Sequence, residues 1–82
     1  MSILVTGGAG FIGSNFLEFL CKVTDDKIIV LDSLTYASNE KNIPQCSQID
    51  FVWCDIVNES HVNYLFDKHR PSKVFHFAAE SH

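Results

Sequence analysis

Between Thr6 and Gly13 the sequence reads TGGAGFIG, and nineteen residues past Gly13 a carboxylate, Asp32, closes an apolar run. Gly7, Gly10 and Gly13 fall at three-residue steps, while Gly8, Gly10 and Gly13 satisfy the pattern G-x-G-x-x-G. Such a stretch can hold a pyrophosphate. The first glycines permit a sharp turn, Gly10 lets the backbone approach phosphate with no Cβ in the way, and Gly13 lets the following helix pack close to the strand. Free amides at a helix start then face the anion. A carboxylate at Asp32 is placed to accept hydrogen bonds from a ribose 2′- and 3′-hydroxyl pair, and it repels a 2′-phosphate. With no Arg or Lys between Asp32 and Lys41, the pattern favours NAD over NADP. A second group of chemically capable residues is HFAAESH, His76 to His82, where an apolar run stops on a carboxylate, a hydroxyl and an imidazole.

These residues need elements to position them. Ser2 to Thr6 is a short β-branched run that stops at the glycines, which reads as a buried strand and a tight turn. From Phe11 the period changes. Ile12, Phe16, Phe19, Leu20 and Val23 recur at three- and four-residue steps and mark the apolar face of a helix, with Phe16 and Phe19 as core, ended by the polar TDDK from Thr24 to Lys27. Ile28 to Leu31 is continuously apolar, as strands buried on both faces of a parallel sheet are. After a polar stretch with Pro44, Asp50 to Cys54 makes a third strand. Asn58 is an N-cap for a helix carrying Val62, Leu65 and Phe66 on one face, which Arg70-Pro71 terminates. Lys73 to Phe77 makes a fourth strand, too apolar for a solvent-facing edge, so a longer chain or a partner is expected to cover it.

The alternation predicts an α/β fold, a partial Rossmann arrangement. Its parallel sheet has about four strands in the order 3-2-1-4, with flanking helices. Eighty-two residues allow one small domain. The apolar share of 46% marks a core-forming chain. A net charge of -4 and the lack of any basic run argue against nucleic acid and anionic membrane as partners. No apolar stretch approaches the ~20 residues that span a bilayer, and the N-terminus lacks a signal-peptide pattern, so a cytoplasmic location is expected. Cys21, Cys46 and Cys54 lack the spacing of a metal or redox pair and read as reduced thiols, two of them core filler. The four histidines suggest no metal site either. His61 and His69 read as solvated, and His76, between Phe75 and Phe77, as a hydrogen-bonded core residue. His82 stands at a strand's carboxyl end, where α/β sheets put their ligands.

Three segments together, ILVTGGAGFIGSNF from Ile3, LDSLTYASN from Leu31 and HFAAESH from His76, resemble the extended short-chain dehydrogenase/reductase superfamily. Within it they resemble the dTDP-glucose 4,6-dehydratases. The resemblance covers essentially the whole chain and implies the N-terminal part, residues 1–82, of an NAD-binding Rossmann domain. The rest of that domain and the substrate domain would lie outside it. By position it implies that Gly7, Gly10, Phe11, Ile12 and Gly13 meet the pyrophosphate. Asp32, Ser33, Leu34 and Thr35 would line the adenosine ribose, and Asp55 and Ile56 would flank adenine. Phe77, Ala78, Ala79, Glu80 and Ser81 would form the floor toward the nicotinamide, with Ser81 and His82 reaching the nucleotide sugar. The implied reaction is loss of water from dTDP-glucose to give dTDP-4-keto-6-deoxyglucose, by a lyase whose full-length members are homodimers.

Ser38 departs from the usual Gly in TYASN, a change a loop should tolerate. A Tyr-x-x-x-Lys pair at the family's catalytic position is absent; Tyr64 and Lys68 fit the spacing but precede the fourth strand. The Thr with an Asp-Glu pair that serves acid/base work in these dehydratases is absent too, so no catalytic residue is assigned and the 82-residue chain alone is expected to be inactive. Alternatives are a UDP-hexose 4-epimerase or UDP-glucuronate decarboxylase of the same superfamily, or a noncatalytic NAD-binding or assembly module.

Overall fold

The computed structural model describes residues 2–8, 11–33, 41 and 43–77. In chain order the elements are β1 (Ser2–Thr6), α1 (Phe11–Val23), β2 (Lys27–Asp32), β3 (Ile49–Trp53), α2 (Glu59–His69) and β4 (Lys73–His76). The four strands form one parallel sheet in the order β3-β2-β1-β4. This is the α/β arrangement expected from the alternation, with strand bounds shifted by a residue at most ends.

The two faces of the sheet are covered by different helices, and this is why β1 and β2 are almost continuously apolar. Ile3, Val5, Ile28 and Val30 pack with Leu17 and Leu20 of α1. Leu4, Ile29 and Leu31 pack on the other face with Cys54 and with Leu65 of α2. Every residue of β1 is buried, and every residue of β2 except Lys27. Cys54 is core filler, as expected, while Cys21 and Cys46 are only half-buried.

Helix α1 buries a narrower stripe than its periodicity suggests. Gly13, Leu17 and Leu20 are buried, whereas Ile12, Phe19 and Val23 are exposed, Phe19 by 55%. Phe16 occupies the same flank of the helix and is only half-buried, its ring centroid 4.7 Å from that of Phe75 and 5.3 Å from that of Phe77. That flank faces the β4 side, and β4 is the last strand of the sheet. The outer aromatic therefore extends past the surface available to it.

Local chemistry fixes the boundaries of α2. Asn58 Oδ1 accepts from the His61 N–H at 3.2 Å, which satisfies one of the unpaired amides of the first turn. At the other end Arg70 adopts a left-handed conformation, φ 45°, and its N–H donates to the Phe66 carbonyl at 2.8 Å before Pro71 prevents continuation. Leu65 is buried and Val62 half-buried, but Phe66 is 38% exposed.

Candidate functional site

Because all strands are parallel, their carboxyl ends lie along one edge of the sheet. Thr6 aligns with Leu31 on one side and His76 on the other, and Asp32 aligns with Trp53. The ends of β1, β2, β3 and β4 thus bring Gly7, Asp32, Asp55 and Phe77 to a common rim. A groove lined by Asp25, Lys27 and Ser47 to Asp50 lies at the opposite edge, where Lys27 pairs with Asp50 at 3.7 Å, and it contains none of these residues.

The glycine turn has the geometry that its sequence requires. Gly7 has φ 75°, a left-handed conformation that a side chain disfavours, and its N–H donates to the Leu31 carbonyl at 2.8 Å. Gly13 is the contact point between turn and helix. A Cβ there would run into the Gly7 carbonyl oxygen and lie 3.0 Å from Gly8 Cα. Gly13 lies within the first turn of α1, and Phe11 and Ile12, which open that turn, are exposed.

Asp32 is not a solvated loop residue. It is the last residue of β2 and only 6% exposed, and its carbonyl accepts from the Cys54 N–H at 3.0 Å, tying the end of β3 to the end of β2. Ser33 follows it, half-buried. Asp55 is exposed, and its Oδ1 accepts from the Val57 N–H at 3.1 Å, so the carboxylate also shapes the turn that leads into α2. Ile56 lies in that turn, exposed by 37%. Phe77 follows β4, half-buried, and its N–H donates to the Thr6 carbonyl at 2.7 Å. Gly10, Leu34, Thr35, Ala78, Ala79, Glu80, Ser81 and His82 fall outside the described residues.

Two residues of this rim escaped the sequence reading of the site. Thr6 Oγ1 and His76 Nδ1 share a hydrogen bond between the ends of β1 and β4. His76 is hydrogen-bonded, as its place in the strand implied, but it is exposed and not a core residue, because the face of β4 that carries it is little covered. Register is the signal that pairs it with Thr6, and register is not visible in either segment alone. Away from the rim, burial and the neighbouring Cys46 thiol push the Cys21 thiol up to about 12. Burial, followed by the Asp55 carboxylate, pushes Cys54 up as well. These thiols are held in their protonated, unreactive form. Among the described residues no group of three or more His, Cys, Asp or Glu is placed to hold a metal.

The family model described as GDP-mannose 4,6 dehydratase matches residues 4–82. The chain belongs to the GDP-mannose 4,6 dehydratase family. Over its whole length it is 40% identical to the dTDP-glucose 4,6-dehydratase of Salmonella typhimurium, of which it covers 24%. The solved dTDP-glucose 4,6-dehydratase of Streptomyces venezuelae, with NAD and TYD bound, matches at 42% identity and a TM-score of 0.88, over 100% of this chain and 27% of that one. A UDP-glucose 4-epimerase of Thermotoga maritima, solved with UDP-glucose, matches at 38% identity and a TM-score of 0.87, over 99% of this chain and 25% of that one. The chain therefore spans about a quarter of the length of the curated dehydratase it matches. Among the described residues of this GDP-mannose 4,6 dehydratase family member, no helix is long and apolar enough to cross a membrane.

Proposed function

We propose that this chain is the NAD-binding part of a nucleotide-sugar 4,6-dehydratase, with dTDP-glucose as the substrate. The observation that carries the reading is the joining of Gly7, Gly13 and Asp32 at one end of the sheet. There a left-handed glycine turn, a helix start packed against it and a buried carboxylate lie on adjacent strands. The residues fit a dinucleotide. The close contact of Gly13 with the turn leaves no room for a side chain between backbone and helix, which brings the helix's leading amides toward the phosphates. Asp32 accepts from the ribose hydroxyls and disfavours a 2′-phosphate. Asp55 and Ile56 flank the adenine, and Phe77 leads from β4 into the nicotinamide end. The assignments of Gly10, Leu34, Thr35, Ala78 to Ser81 and His82 follow from the resemblance alone.

When bound, NAD supplies the hydride acceptor and donor on which a 4,6-dehydration depends. The residues of this chain hold and orient it, and orientation of bound reactants is itself a large part of rate acceleration. Solved relatives with NAD support the cofactor, and the identity to dTDP-glucose 4,6-dehydratases supports the reaction. The near-equal match to a UDP-glucose 4-epimerase supports a second reading, in which the same cofactor half serves epimerisation.

The deciding experiment uses the protein as its gene encodes it, incubated with dTDP-glucose or UDP-glucose and followed by mass spectrometry for loss of water and by proton NMR for a change of sugar configuration. Loss of one water from dTDP-glucose supports the dehydratase. Conversion of UDP-glucose to an isomer of equal mass supports the epimerase and overturns the first reading. Titration calorimetry of the same protein with NAD and NADP tests the cofactor separately, and tighter NADP binding would contradict the role of Asp32.

A further inference from the structure

The strands β1 and β4 are neighbours in the sheet although β2 and β3 intervene in the chain, so the strand order reverses between them. In open α/β sheets the crevice outside the carboxyl ends at such a reversal is where ligands bind. The hydrogen bond between Thr6 Oγ1 and His76 Nδ1 joins the two strands at that place. Thr6 is buried and His76 exposed, and they are register partners on the same face of the sheet. Two backbone bonds lie on either side: the Phe77 N–H donates to the Thr6 carbonyl, and the Gly7 N–H donates to the Leu31 carbonyl. Thr6 is thus held to β4 through both its carbonyl and its hydroxyl. The next residue, Gly7, then turns toward α1 at φ 75°.

A buried hydroxyl needs a partner, and the imidazole provides it without closing the rim. We propose that Thr6 and His76 are a positioning pair, which fixes the glycine turn that would hold the pyrophosphate against the end of β4 that leads toward the nicotinamide. Neither side chain touches the cofactor in this arrangement; both act through the backbone they join. The inference rests on the NAD-binding reading above and adds a consequence to it. NAD must satisfy the turn and the β4 end at once, whereas ADP engages only the turn and the Asp32 side. Loss of the pair therefore weakens NAD and spares ADP.

Titration calorimetry with NAD and with ADP tests this on the protein as its gene encodes it, using His76→Ala, His76→Asn, Thr6→Val and Thr6→Ser. His76→Ala and Thr6→Val should each weaken NAD about fivefold, the effect of one hydrogen bond, and leave ADP within about twofold. The double variant His76→Ala with Thr6→Val should be no weaker than either single one, since both remove the same bond. His76→Asn, which keeps a polar atom near the position of Nδ1, and Thr6→Ser should both stay near wild type. Equal weakening of NAD and ADP would mean a general structural role and would overturn the proposal, as would no weakening of NAD. Should His76→Ala fail to fold, the contrast of Thr6→Val with Thr6→Ser carries the same test. A wild-type protein that binds no NAD overturns the NAD-binding reading itself, and an NAD-binding wild type whose variants show no split overturns only the positioning pair.

Discussion

Asp32 is a carboxylate held at the end of a buried strand, where a charged group is retained only if something interacts with it. If that something includes a ribose diol, Asp32→Asn should weaken NAD about 10- to 100-fold, because hydrogen bonds to charged groups are worth about 1.5–3 kcal/mol. NADP should lose much less, since the same change removes the repulsion of its 2′-phosphate, and parallel calorimetric titrations would display the crossover. Gly13→Ala acts by crowding. Its Cβ would meet backbone and not a flexible side chain, so relief requires α1 to move off the turn, at a cost of about 1–3 kcal/mol read in a urea melt. Cys21 gives a pH signature. Its thiol is raised from 9.0 to about 12 in the fold, so the folded state holds a proton that the unfolded chain gives up. The stabilisation is complete below pH 9 and is lost as pH rises toward 12. Urea midpoints measured between these limits should fall with pH, and Cys21→Ser should flatten that slope.

The capped helix α2 is the element whose boundaries are set most locally. Asn58→Ala should destabilise the fold by about 1 kcal/mol, while Asn58→Asp or Asn58→Ser should retain most of the cap, as read from thermal midpoints. Features of this kind were legible in the sequence because their causes sit within a turn of the residues concerned: Asn58 at the cap, Arg70-Pro71 at the stop and the glycines at the β1–α1 turn. The strand order was legible too, since a buried β1 and β2 with short crossovers leave few parallel arrangements. What depended on distant partners was not. Phe19 and Val23 keep the helical period of a core face, yet their burial is decided by how far the sheet extends beside α1, and β4 is its limit. The Thr6–His76 bond likewise joins residues 70 positions apart and becomes visible only with the register of β1 and β4. Of the site, the glycine turn and Asp32 could be read directly, whereas the pair that ties the turn to β4 could not.

At the scale of the whole chain, the β4 side carries exposed apolar surface. β4 is a terminal strand of the sheet with Val74 exposed by 48%, and Phe19 projects from the adjacent flank of α1. A strand in that position presents unpaired N–H and C=O groups, and the devices that protect natural edges are sparse here, with Lys73 the one charge within β4. The net charge of -4 repels copies at long range but is screened beyond about 8 Å at physiological salt, so it does not guard the edge itself. The 82-residue polypeptide studied alone should therefore self-associate as its concentration rises, and light scattering after size exclusion would record the mass increase. Val74→Lys places a charge on the exposed face of that strand and should shift the distribution toward monomer without lowering the thermal midpoint, because the side chain it replaces is already half in solvent. A chain that stays monomeric at high concentration, with Val74→Lys making no difference, would mean that β4 is protected in some other way. The same material should produce no water loss from dTDP-glucose, since the 82 residues include no Tyr-x-x-x-Lys pair beyond β4 to move protons at the sugar.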